Sequence, residues 1–144
     1  ARGALLEAER PVVGGEPKEL DELVTLVERV LESDVWRRAR TADRVLSEIP
    51  FACREERAGA TGHAPRVRIM EGVIDLAFRE GDGWVIVDYK TDVGTDPGFP
   101  DRRRAYRRQV ELYAAAWESM TGEPVVERVL LFTARSGGEA EERW

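Results

Sequence analysis

From Leu20 to Leu31 the apolar residues Leu20, Leu23, Val24, Leu26, Val27, Val30 and Leu31 recur at threes and fours. One buried helical face has that spacing, which predicts a helix over 17–32. Asp34 is suited to cap a short second helix reaching residue 41, with Val35 and Trp36 turned inward. Gly14, Gly15 and Pro17 read as a loop, so residues 1–10 are expected to end an earlier helix. After Ala42 the period shortens to two, and strands are expected over 45–53, 67–78 and 84–88. Gly81-Asp82-Gly83 has the composition of a hairpin turn, whereas 58–65, rich in Gly and small residues, reads as a looser connection. The helical period returns over 102–121, stops at Gly122, and gives way to a strand over 125–133 that Pro124 introduces. The polar stretch from Ser136 is expected to fray. This order of helices, three strands, a helix and a strand predicts an α/β fold with a central mixed sheet flanked by helices.

Length and composition change the picture only at its edges. At 144 residues the chain fits one domain, and its start at Ala1 and end at Trp144 are expected to mark a piece of a longer polypeptide. No apolar run approaches the ~20 residues that span a bilayer, and no signal peptide opens the chain, so a cytoplasmic protein without membrane contact is expected. Cys53 is the only cysteine, which excludes an internal disulfide, a cysteine-rich zinc site and an iron–sulfur cluster. A net charge of −6 is the wrong sign for indiscriminate nucleic-acid binding, so any such contact must be local. No phosphate-binding Gly-rich loop of the P-loop kind occurs, and with one histidine, His63, a nucleophilic triad is nearly excluded.

The remaining chemistry concentrates in the strands. In Trp84-Val85-Ile86-Val87-Asp88-Tyr89-Lys90, Asp88 and Lys90 share one face about 6.6 to 6.8 Å apart along the strand. The Val-Ile-Val run marks a buried strand, where charges are costly unless paired or bound to a metal. Gly72-Val73-Ile74-Asp75-Leu76 brings a second acid within cross-strand reach, and Glu48 offers a third in the first strand. Convergence of three carboxylates raises their pKa values unless a cation neutralises them, and a hard divalent ion such as Mg²⁺ needs only two or three protein oxygens. A nearby ammonium would then orient the attacking water and stabilise charge on a reacting phosphate. A structural Asp88–Lys90 ion pair is the alternative. Three acids in successive strands, with Lys90 one of only two lysines beside Lys18, favour the metal site.

Gly72-Val73-Ile74-Asp75-Leu76, then Asp88-Tyr89-Lys90-Thr91-Asp92, then Gln109-Val110-Glu111-Leu112-Tyr113, preceded by Glu48-Ile49-Pro50-Phe51, resemble the nuclease domain of RecB-type and AddA-type helicase-nucleases of the PD-(D/E)xK superfamily. The resemblance runs over 46–117. It implies a restriction-endonuclease-like fold that uses Mg²⁺ or Mn²⁺ to cleave DNA during processing and repair of double-strand breaks. Helicase domains in cis, and a second helicase-nuclease subunit, are the implied partners. By the same resemblance Glu48, Asp75, Asp88 and the Tyr89 carbonyl hold the metal, Lys90 acts with Asp75 and Asp88 in catalysis, and Gln109 and Tyr113 complete the site. The family's usual N-terminal histidine is missing. Gly3 or Glu7 takes its place according to register, and His63 reads as a solvated loop residue. Intact Asp75, Asp88 and Lys90 argue for an enzyme, and the missing histidine for a non-catalytic module that threads DNA or docks a partner.

On the helix over 102–121, Leu112, Tyr113, Ala116, Trp117 and Met120 form an apolar stripe expected to pack on the sheet. Gln109 lies one turn before Tyr113 and, as an amide on a packing face, requires partners. Arg103, Arg104, Arg107 and Arg108 crowd the first turns with Arg102 and offer contacts to a DNA backbone.

Overall fold

A computed structural model describes residues 17–57 and 66–144. Along the chain it contains α1 (Pro17–Glu32), α2 (Asp34–Thr41), β1 (Arg44–Arg57), β2 (Arg66–Glu80), β3 (Gly83–Lys90), α3 (Phe99–Thr121), β4 (Val125–Phe132), a 3-10 turn and β5 (Glu141–Arg143). The five strands form one sheet in sequence order, antiparallel except for the parallel pair β3–β4. A parallel pair needs a long crossover, which α3 supplies. The expected α/β fold with its mixed sheet is therefore present.

Local chemistry explains most boundaries. The β2–β3 hairpin turns through Gly81, whose φ of 59° favours glycine, and Asp82. Gly83 is already in β3, where a Cβ would lie 2.4 Å from Val126 Cγ1 and 2.8 Å from the Pro124 carbonyl. Its bare backbone lets β4 start beside it. α2 is capped by the Ser33 hydroxyl, which accepts from the Trp36 amide at 3.3 Å, so Asp34 is the first helical residue and not the cap. α3 starts at Phe99, three residues before the expected point, because Pro100 fits a first turn; it ends at Gly122 with φ 71°.

The sheet is covered on both faces. Under α3 lie Ile74, Ala77, Trp84, Ile86, Leu130 and Phe132, packed against Val110, Tyr113, Ala114 and Trp117. Under α2 lie Leu76, Phe78, Val85, Val87, Val129 and Leu131. Two expected stripes are narrower than read. Leu112 and Met120 are exposed because the contact line of α3 runs through Val110, Tyr113 and Trp117, and on α1 only Leu20 and Val24 are fully buried while Leu23, Val27 and Leu31 face outward.

The expected frayed tail is a strand. β5 covers the edge of β4, and Trp144 exchanges two backbone hydrogen bonds with Arg128, at 2.9 and 3.1 Å. Its polarity misled because its charges are paired: Glu142 binds Arg103 and Arg107, each at 2.6 Å, and Arg143 binds Asp34 at 2.6 Å. No helix among the described residues is long and apolar enough to cross a membrane.

Candidate active site

Strand register places the three sequence-derived acids in one row. β1 and β2 pair Ser47 with Leu76 and Ile49 with Ile74, which sets Glu48 across from Asp75. β2 and β3 pair Leu76 with Val87, and one further step sets Asp75 across from Asp88. The ladder is broken at this row. Glu48 has φ 50°, the only positive value at a non-glycine residue among those described. Along β2, Ile74 and Ala77 pack beneath α3 while Leu76 and Phe78 pack beneath α2, so the inward–outward alternation is lost at Asp75. Such irregularities re-aim side chains.

β2 and β3 separate just beyond Leu76 and Val87, and the Asp75 carboxylate fills the gap by accepting the Tyr89 amide proton at 2.7 Å. Asp75 thus grips the Asp88–Tyr89 peptide. Asp88 is 3% exposed, the only fully buried charged residue described. Its Oδ2 lies 2.6 Å from Lys90 Nζ, and this close charge-assisted contact is the one polar partner of that buried oxygen among the described residues. Burial pushes the Asp88 carboxyl above the usual range; Lys90 offsets this only in part, and Asp75 adds to it. Burial likewise pushes the Tyr89 phenol, on the opposite face beside Trp36, up to about 12.

Lys90 leads into α3. Its Nζ donates to Gln109 Oε1 at 2.9 Å, and Gln109 Nε2 donates to Tyr113 Oη at 2.7 Å. The partners required by Gln109 are therefore Lys90 and Tyr113, one for each end of the amide. The Tyr113 hydroxyl keeps its own proton, and burial with the charge on Asp88 raises its pKa. Gly72 makes room for this helix: a Cβ there would stand 2.8 Å from the Phe51 ring and 3.3 Å from the Tyr113 ring, which meet edge to face. The glycine of Gly72-Val73-Ile74-Asp75 thus seats the helix that carries Gln109.

Not every expected residue converges. The Glu48 side chain is exposed, and among the described residues no group of three or more His, Cys, Asp and Glu side chains is placed to hold a metal ion. Two carboxylates, Asp75 and Asp88, and the intervening backbone are what the site brings together. His63, Gly3 and Glu7 lie outside the described residues. Of the arginines, Arg103 and Arg107 bind Glu142, Arg104 binds Asp101, and Arg108 is exposed without an ion-pair partner among the described residues. Arg102, still partly exposed, clamps Asp92 at 2.7 Å and Asp96 at 2.6 Å. Sequence reasoning missed Tyr106, whose ring lies under Lys90 Nζ at 4.6 Å and whose hydroxyl donates to Asp92 Oδ2. The available signal was its place one turn before Gln109.

The chain is 36% identical over 139 residues to an ATP-dependent helicase/nuclease subunit of Carboxydothermus hydrogenoformans, a match covering 92% of this chain and 11% of that protein. It is 40% identical over 103 residues to the protein of the same name from Heliobacterium modesticaldum, covering 64% and 7%. For that of Desulforamulus reducens the figures are 33% over 102 residues, 68% and 8%. The chain thus spans about a tenth of the length of these relatives. With a family match extending over residues 2–143, the chain belongs to the PD-(D/E)XK nuclease superfamily.

Proposed function

We propose that this domain hydrolyses DNA phosphodiester bonds with Mg²⁺ or Mn²⁺, in the cytoplasm, as the nuclease part of a helicase-nuclease that processes double-strand breaks for repair. The observation that carries the reading is the buried Asp88 carboxylate, set across from Asp75 and 2.6 Å from the Lys90 ammonium. A site built this way is costly in an empty protein and suited to a cation. Asp75, Asp88 and the Tyr89 carbonyl would hold the ion, and Glu48, at the end of the row, would act through water that a hard cation retains. When bound, the ion neutralises the carboxylates and polarises a phosphate oxygen and a water.

The remaining work falls to the chain itself. Lys90 orients the attacking water and stabilises the negative charge that develops as its oxygen bonds to phosphorus and the opposite P–O bond breaks. Gln109 holds the Lys90 ammonium by its carbonyl and the Tyr113 hydroxyl by its amide, leaving the Tyr113 proton for a phosphate oxygen. Helicase domains in cis, and a second subunit, would feed DNA to this site. The test is cleavage of end-labelled linear DNA by the protein with Mg²⁺, Mn²⁺ or EDTA. Products with either metal and none with EDTA are expected. An intact fold that cleaves under no condition would give the domain to DNA threading or partner docking instead.

The arginines divide by pairing. Arg108 is free to meet a phosphate, whereas Arg103 and Arg107 must first leave Glu142 and Arg104 must leave Asp101. Arg108→Ala is therefore expected to weaken DNA binding regardless of sequence and lower the salt slope by about one unit. Arg103→Ala should change the slope less. Binding measured across a salt series checks both.

A further inference from the structure

We infer that Tyr106, with Asp92 behind it, is a positioning residue for Lys90: the tyrosine ring forms the third wall of the ammonium's seat and fixes where its charge points. The role in turnover rests on the catalytic reading of Lys90, whereas the seat itself is independent of it. A lysine ammonium is a point charge on a flexible four-carbon stem, so its location depends on what surrounds it. Here Asp88 Oδ2 stands 2.6 Å away on one side and Gln109 Oε1 2.9 Å away on another. The Tyr106 ring centroid lies 4.6 Å away, within the range of a cation–π contact.

The ring is itself held. Its hydroxyl donates to Asp92 Oδ2, and Arg102 donates to Asp92 Oδ1 from Nε at 3.2 Å and from Nη2 at 2.7 Å. Arg102 is tied in turn to Asp96, 2.6 Å away, which is bound by the Gly98 amide just before α3. Because Asp92 follows Lys90 by two residues and Tyr106 precedes Gln109 by one turn, the strand exit and the helix entry close around the ammonium. None of these groups need touch substrate. Without the ring the ammonium gains a route to solvent, away from the point between Asp88 and Gln109.

Only two lysines are present, so protein labelled with ¹³C at lysine Cε gives two signals, from Lys18 and Lys90. A ring beneath Lys90 displaces its proton signal upfield of that of Lys18. The displacement should persist in Tyr106→Phe, which keeps the ring, and vanish in Tyr106→Leu. In single-turnover cleavage Tyr106→Leu should lose about tenfold in maximal rate, with the half-saturating DNA concentration unchanged, and Tyr106→Phe should stay closer to wild type. In a Lys90→Ala background the leucine change should cost nothing further. An undisplaced Lys90 signal in the wild type, or an equal rate loss with and without Lys90, would overturn the proposal. A displaced signal together with full activity of Lys90→Ala would leave the seat standing and remove its role in turnover, which is the failure of the catalytic reading.

Discussion

Replacing Lys90 by alanine is expected to lower single-turnover DNA cleavage by ~10²- to 10³-fold while leaving cation binding nearly intact. The size follows from its surroundings. Lys90 is 16% exposed in its side chain, within 3 Å of Asp88 and Gln109, so a charge developing nearby meets a fixed ammonium with little intervening water. The metal oxygens proposed on Asp75, Asp88 and Tyr89 do not include it. Lys90→Arg should rescue poorly, because a planar guanidinium must fit a seat bounded by a carboxylate, an amide and the Tyr106 ring. Metal-dependent thermal stabilisation, measured beside the rate, separates this from loss of the cation. Wild-type rates in the alanine variant would return Lys90 to a structural ion pair with Asp88.

Much of this site is legible in one dimension because strand periodicity is strict where strands are buried. Asp88 and Lys90 fall on one face by alternation, and the hairpin at Gly81 fixes how Asp75 meets Asp88. The same rule fails where the ladder breaks. Alternation through Glu48 and Asp75 does not reveal the positive φ of Glu48 or the change of face along β2, so the expected meeting of three carboxylates reduces to two. β5 was invisible for another reason: Glu141-Glu142-Arg143 has no apolar face, and its place depends on Arg103, Arg107 and Asp34, far away in sequence. Tyr106 and Asp92 were in plain view, but a ring beneath an ammonium leaves no periodic signal.

The largest effect on stability is expected at Asp88. In metal-free buffer Asp88→Asn should stabilise the folded protein by ~1 kcal/mol, although it removes an ion pair, because an amide fills the same space without a buried charge. Lys90 would keep Gln109 and the Tyr106 ring. The sign follows from the raised carboxyl pKa. A folded-state value above the unfolded one gives stability that is fully present below the unfolded pKa and lost as pH rises through the folded value. Wild-type stability without metal should therefore decline across that window, while the asparagine variant lacks the decline. A divalent cation should reverse the order. At ~100 times its dissociation constant it adds about 2.7 kcal/mol to a protein that binds it only when folded, and it should add little to the variant. Cleavage should disappear in the same variant, since the cation proposed to polarise the reacting phosphate would lose the Asp88 carboxylate. Denaturation profiles of both proteins over a pH series, with Mg²⁺ and with EDTA, test the whole pattern. Equal responses to Mg²⁺ in wild type and Asp88→Asn would remove Asp88 from the cation site, and unchanged cleavage would remove it from the catalytic site.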